Sequence, residues 1–431
     1  MSALRHLRVR SYNVGFGDCF LLTFTYARAR ARNILIDFGS TKLAKSSPSD
    51  GLKAIAQKIA DDCGGKLDIV VATHRHTDHI SGFAGAPGEI IRSLEPELVL
   101  QPWTEDPDLA PDATGPVTVA GGGGGGGARG LVASLAAMNA TAAAIKEQIP
   151  RLEASRNVTR TVVEQLRFLG ETNIANEEAV RSLMTMGKRR IYAAHGTRLP
   201  VKRLLPGIGV DVIGPPTLKQ SSAIAHQASV SDEFWHVAAA GAAAQGDPER
   251  ANRPIFPQAA VAEARPQEAR WVIPQIDRMR AEEMLAIVRS LDDVLNNTSL
   301  ILLFEVTGHL FVFPGDAQLE NWLYALREAP GAEATRERLE HACFYKVGHH
   351  GSLNATPKSL WNAFEHRGPD TTPGRLVTML STAADKHGSV ARNTEVPRRV
   401  LVEELERASS LRNTQSLTTR ATFWIDADFD L

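Results

Sequence analysis

The sequence predicts an α/β core interrupted by two insertions, and three observations lead to that reading. Strand-like runs alternate with helix-like ones through the first hundred residues and again from 298 onward. The alternation breaks twice, first into a glycine-rich stretch with Ala-rich helices and later into a stretch biased toward Ala and Pro. The third observation is chemical: His74, His76, Asp78 and His79 crowd into six consecutive positions where an apolar run ends, in a chain with only 13 histidines.

A length of 431 residues allows two ordinary domains, or one large domain with insertions. Hydrophobic content of 43% permits a sizeable core, and a net charge of −1 argues against a surface that coats nucleic acid or membrane. The basic segment 188–203, KRRIYAAHGTRLPVKR, reads as a solvated strand edge in preference to a phosphate-contacting patch. Cys19, Cys63 and Cys343 are far apart and form no C-x-x-C pair, which disfavours a disulfide framework and a thiolate zinc site. The N-terminal segment lacks the apolar stretch of a signal peptide, and no run of about 18 apolar residues occurs. A cytoplasmic protein with no membrane partner is expected.

In chain order, HLRVRSYNV (6–14), CFLLTFTY (19–26) and NILIDFG (33–39) are β-rich runs separated by glycine-containing turns. GLKAIAQKIADD (51–62) has helical apolar spacing, LDIVVATH (67–74) reads as a strand buried on both faces, and PELVLQP (96–102) as another strand. Residues 1–104 thus form the first part of the core. Residues 105–189 are a first insertion, with seven glycines (Gly121 to Gly127) and two helices expected at 131–149 and 158–170. Core strands return over 190–216, and a second insertion over 217–297 ends in a helix around 279–295. The remainder of the core, 298–431, opens with TSLILLFEV (298–306) and LFVFPGD (310–316) and closes on RATFWIDADF (420–429).

A single histidine at the end of a buried strand is ordinarily a hydrogen-bonded core residue. Four ionisable groups in one loop are different, because unpaired buried polar atoms cost roughly 1–3 kcal/mol each. Imidazoles with a carboxylate suit borderline divalent ions, zinc foremost, with manganese or iron as alternatives.

The H-x-H-x-D-H pattern after a buried strand resembles the metallo-β-lactamase superfamily of metal-dependent hydrolases. Further stretches agree in order: SYNVGFGDCFLLTF (11–24) with NILIDFGS (33–40), LFVFPGDA (310–317) and KVGHHGS (346–352). The set is especially similar to the hydrolase domain of DNA-uptake competence proteins, and a choline-phosphate esterase carries a similar paired histidine. The resemblance covers about 1–104, 190–216 and 298–431. It implies a four-layer αββα sandwich with the two insertions outside it, and two divalent metal ions, zinc or manganese.

The resemblance also implies the ligand set. His74, His76, Asp78 and His79 come from the first loop, Asp316 bridges, and His350 and His387 follow. Asp37 would buttress the metal loop. His349 and His350 are adjacent, and alternation along a strand turns only one toward the metal. Analogy selects His350, leaving His349 to orient ligands or contact substrate. His195 is the only histidine near the place where relatives carry another ligand, and is read as structural. His226, His236 and His309 have no motif context.

These expectations define a hydrolase acting through a metal-bound hydroxide, with Asp78 and His349 as catalytic residues and Lys346 or Ser352 near leaving-group charge. A phosphodiesterase or nuclease is expected first, with a phosphodiester or nucleic acid as substrate. A lactone, thioester or acyl hydrolase is the alternative. From another class, the chain could be a partner-docking protein of a multi-component system such as antiviral defence. Its metal would then be structural, and its helical insertions would bind a protein partner or a second copy.

Overall fold

The computed structural model describes residues 3–110, 113–116, 131–155, 157–173, 176–225, 272–352, 356–383 and 395–431. Six strands build the first sheet in chain order: β1 (Leu4–Tyr12), β2 (Cys19–Tyr26), β3 (Arg32–Phe38), β4 (Ile69–Val71), β5 (Leu98–Pro102) and β6 (Arg189–Ala193). The next six build the second: β7 (Ile208–Gly214), β8 (Ile301–Val306), β9 (His309–Phe313), β10 (Ala342–Lys346), β11 (Val377–Leu380) and β12 (Ser410–Asn413). The last strand, β13 (Trp424–Asp430), returns to pair with β1, giving the orders β13-β1-β2-β3-β4-β5-β6 and β12-β11-β10-β9-β8-β7.

Both sheets are mixed, and they repeat one plan. In each, three strands run antiparallel (β1 to β3, β7 to β9), and three more add in parallel beyond the third. The parallel steps need crossovers, and helices supply most of them.

Strand alternation sorts the side chains into layers. On β2, Phe20, Leu22 and Phe24 face the other sheet, where they meet Phe304, Phe311, Phe313 and Phe344. Cys19 and Leu21 face outward, toward helices Gly51–Asp62 (Ile55, Ile59), Gly85–Ser93 (Ile91) and Glu177–Met186 (Leu183). The second sheet is covered likewise by Leu319–Leu323 (Trp322), Ala332–Glu340 (Leu339), Lys358–Ala363 (Leu360) and Arg399–Ala408 (Leu405). The protein is an α/β sandwich.

Three features depart from expectation. The run 67–74 is a strand only over Ile69–Val71. Asp68 before it is buried and ion-paired with Arg30 and Arg32, and the residues after it leave the sheet. Helix Glu177–Met186, within 105–189 and not foreseen as a helix, belongs to the outer layer, because Ala179, Leu183 and Met186 line up at helical spacing against the first sheet.

The two insertions also come together. Helices Leu131–Ser155, Arg160–Asn173 and Val272–Asn297 share a seam of Ile145, Ile149, Leu166, Leu285 and Val288. This bundle rests on the sandwich through Leu291, Val294 and Leu295 against Trp103, Ala194 and Leu218. The Gly121–Gly127 run and residues 226–271 lie outside the described residues.

The basic segment supplies β6 at a sheet edge, with Arg189 and Arg190 exposed. No helix among the described residues is long and apolar enough to cross a membrane.

Candidate metal centre

The shared plan of the two sheets puts chemistry at matching places. Asp37 lies at the end of the third strand of the first sheet, and Asp316 just past the third strand (β9) of the second. The 73–79 loop follows β4, and His349 with His350 follow β10, the fourth strands of each plan. Functional groups in such folds gather where parallel strands end.

Asp37 organises the first loop. Its Oδ1 accepts from the Thr73 amide (2.7 Å), and its Oδ2 from Thr73 Oγ1 and His79 Nδ1 (both 2.8 Å). The chain then turns at His76 into the short helix Thr77–Ile80, with His79 N donating to His76 O (2.9 Å). Gly39 permits the close approach this requires, since a Cβ there would sit 2.5 Å from both the Asp78 carbonyl carbon and the His79 nitrogen.

The second half closes on this loop from the other sheet. His79 Nε2 lies 3.0 Å from Asp316 Oδ2, and His350 Nε2 lies 3.0 Å from Asp78 Oδ2 and 3.5 Å from Asp316 Oδ2. His350 Nδ1 donates to the Ser381 carbonyl (3.0 Å), which directs its Nε2 inward. His74 Nε2 and His76 Nδ1 face one another at 2.9 Å. Behind them Lys346 is ion-paired with Asp18 and, at 3.2 Å, with Asp316. His74, His76, Asp78, His79, Asp316 and His350 are each no more than 3% exposed.

The charges follow from this geometry. Burial, helped by neighbouring imidazoles, pushes His74 well below the ordinary histidine value and His76 down to about 4. Burial opposes a charge on His79, but Asp316 and Asp37 outweigh it and raise its pKa; Asp316 and Asp78 do the same for His350. Burial would also favour neutral carboxyl groups. The His350 hydrogen bond and nearby imidazoles nevertheless hold Asp78 well below the carboxylate range, as His79 and Lys346 hold Asp316. In Lys346 the same contest is won by Asp18 and Asp316, which keep it protonated.

Among the described residues, two groupings have the spacing of a cation's ligands: His74 with His79 and Asp316, and Asp78 with His79 and His350. A third, Asp18 with Asp37 and His79, has its carboxylates already engaged by Lys346 and Thr73. The donor set, nitrogen with carboxylate oxygen, fits zinc or manganese. Asp78 Oδ1 adds a second indication, being buried with no hydrogen-bond partner.

Six of the seven expected ligands are thus brought together; His387, the seventh, lies outside the described residues, as do His226 and His236. His349 stands beside the centre, half-buried, with its amide donating to Asp316 Oδ1 (3.0 Å) and its Nδ1 against Ser352 Oγ (3.0 Å). Strand alternation is not what separates it from His350. Both residues have left-handed backbone, with φ of 43° and 52°, in a turn past the end of β10.

Lys346, expected near leaving-group charge, is buried behind the clustered side chains and neutralises Asp18 and Asp316 instead. His195 packs edge-on to Tyr324 and binds the Ile213 carbonyl (2.9 Å), and His309 is exposed.

Sequence reasoning missed Asp18, Ser381 and Asp292, whose Oδ1 lies 3.8 Å from His76 Nε2. For Asp18 a signal existed, an aspartate behind the tight GFG turn. For the other two none did: one acts through its backbone carbonyl, and the other is one acid among many on an amphipathic helix. Comparison by sequence gives no matching family model and no matching curated protein.

Proposed function

We propose that the protein is a metal-dependent hydrolase of the metallo-β-lactamase type, holding two divalent ions, zinc or manganese. One observation carries the reading. Four side chains of a single loop, His74, His76, Asp78 and His79, meet Asp316 and His350 from the other sheet in a buried cluster of nitrogen and carboxylate donors. Clusters of this kind are more costly to bury without a cation than with one. His74 and His76 would hold one ion, and Asp78, His79 and His350 the other, with Asp316 beside both.

When bound, such ions supply Lewis acidity, which makes water acidic near neutral pH and draws charge from a scissile ester. The chain's own residues do the rest. Asp78 has one oxygen toward His350 and the other buried without a partner, so it orients water and accepts a proton at Oδ1. Asp37 holds His79 with its proton on Nδ1, and the Ser381 carbonyl does so for His350, which keeps both Nε2 atoms for the centre. His349, at the rim and tied to Ser352, contacts the substrate.

Phosphodiester hydrolysis is the substrate class we put first, because the motifs are most similar to those of phosphodiester-cleaving relatives. Side chains this buried would favour small esters and single strands over rigid duplex. Three free thiols fit a reducing compartment such as the cytoplasm.

The test is metal analysis of protein purified without added ions, followed by hydrolysis of bis-p-nitrophenyl phosphate against a panel of lactones and thioesters with zinc and manganese. Bound metal with diester cleavage that His76→Ala and Asp78→Asn abolish supports the proposal. Cleavage of lactones or thioesters alone moves the substrate class. Protein that binds no metal and cleaves nothing overturns the proposal and leaves a partner-docking protein as the better account.

A further inference from the structure

Helix Val272–Asn297 belongs to the second insertion, yet its last two turns reach the centre. Asp292 Oδ1 lies 3.8 Å from His76 Nε2. The other ring nitrogen of His76, Nδ1, is turned inward to His74 Nε2 at 2.9 Å. An imidazole that serves a metal through one nitrogen carries its proton on the other, and a carboxylate on that side fixes both ring and tautomer. With Nδ1 facing inward, Nε2 is the proton-bearing side of His76, and Asp292 stands there.

The carboxylate is held for this task. Asn296, one helical turn on, donates from Nδ2 to Asp292 Oδ2 (3.3 Å), so Oδ1 is the oxygen toward His76. Asp293, next in sequence, accepts instead from Gln318 Nε2 (3.3 Å).

The end of the helix is tied to both halves of the centre. Leu300 N donates to Thr73 O (3.0 Å), Asp316 N donates to Ser299 Oγ (3.3 Å), and Asn321 Nδ2 donates to the Asn297 and Ser299 carbonyls (3.2 and 2.9 Å). The helix therefore cannot shift without moving the strand end before His74 or the turn of Asp316.

We propose that Asp292 is a positioning residue of the metal centre, supplied by the insertion, whose carboxylate faces Nε2 at ion-pair distance and so orients His76 and favours the proton on that nitrogen. This rests on the metal-centre reading above. It makes the inserted bundle a working part of the site, so that docking of the bundle and metal affinity depend on one another.

The experiment uses the full chain, stripped of metal, with zinc affinity and stoichiometry read by competition with a chromophoric chelator. The visible spectrum of the cobalt form reports ligand geometry. Asp292→Asn and Asp292→Ala are expected to weaken zinc binding about 10- to 100-fold with the number of ions unchanged, and to shift the cobalt bands. Asp292→Glu is expected to recover part of the affinity, and Asp293→Asn to leave affinity and spectrum as they are.

A residue that merely supports the helix would lower Tm in all these variants without moving affinity or spectrum in the folded protein, and that result overturns the proposal. So does loss of a whole equivalent of zinc, which would make Asp292 a ligand. Should Asp292→Ala not fold, the isosteric Asp292→Asn carries the measurement. Wild-type protein that takes up no ion removes both this inference and the reading beneath it. Wild-type protein that binds zinc with an affinity indifferent to Asp292 removes this inference alone.

Discussion

Replacing Asp37 with asparagine tests how the metal loop is built. The backbone there has φ of 57°, which asparagine tolerates as readily as aspartate, so the exchange adds no strain. The hydrogen-bond count changes instead. Asp37 accepts from the Thr73 amide on one oxygen and from Thr73 Oγ1 and His79 Nδ1 on the other. Asparagine has a single acceptor oxygen.

The Thr73 amide is fixed and must keep that oxygen, so the new NH2 group faces His79 Nδ1. The hydroxyl of Thr73 can rotate to accept; the imidazole answers by carrying its proton on Nε2, the atom that faces Asp316. One weakened buried hydrogen bond costs about 1–3 kcal/mol of stability. The wrong tautomer costs about 10- to 100-fold in metal affinity. Urea unfolding in chelator reads the first quantity, and zinc competition in native buffer the second. Unchanged zinc affinity in the folded variant would refute the tautomer argument even if stability fell.

Gly39→Ala is expected to cost about 1–3 kcal/mol by overpacking, because its Cβ would meet the Asp78 and His79 backbone at 2.5 Å. Zinc affinity should fall with it, and wild-type affinity would contradict the close-approach account. Lys346→Met removes the lysine charge from buried Asp18 and Asp316, leaving only His79 and His350 to face them, and should cost about 3–5 kcal/mol. Added zinc should raise the Tm of this variant more than that of the wild type, and an equal rise in both would refute the assigned role.

The stability of the metal-free protein should fall on both sides of neutrality. His79 and His350 are raised above the ordinary 6.5, so what they contribute is present at lower pH and lost as pH climbs through their folded values. His76, depressed to about 4, loses its contribution as pH falls below 6.5, and Asp78 and Asp316 lose theirs as pH drops from 3.8 toward their depressed values. Urea midpoints measured in chelator from pH 2 to pH 9 check this, and a flat profile above pH 7 would refute the pairing of His79 and His350 with carboxylates. Zinc uptake near pH 7 should release protons from these two histidines, which calorimetry in buffers of different ionisation heat will read.

The sandwich and its centre were legible in different ways. Short β-rich runs such as CFLLTFTY announced themselves because alternation on a two-sided strand leaves a period that sequence displays; β2 spans those same residues, Cys19–Tyr26. The 67–74 run misled, since a buried ion-paired Asp68 and a departing loop carry the same apolar neighbours as a longer strand. Helix Glu177–Met186 lies within 105–189 and was not foreseen, since a ten-residue amphipathic helix beside longer Ala-rich ones gives no sign of which surface it covers. His74 to His79 could be read as a site because all four groups are local in sequence. Asp292 could not, because its meaning depends on a helix that is docked by tertiary contacts alone.

That contrast explains how the centre is held. His79 and Asp316 are 237 residues apart, and His350 and Asp78 are 272 apart, so neither sheet can assemble the cluster alone. Each sheet brings an aspartate at or just past the end of its third strand and histidines after its fourth, and the apolar face between the sheets brings those ends together. The inserted bundle adds a third point of support, through the Asn297 carbonyl on Asn321 and Asp292 beside His76. Groups this buried and this charged stay aligned only because three separately stabilised parts meet there, and a cation bound among them would in turn favour the docked state of all three.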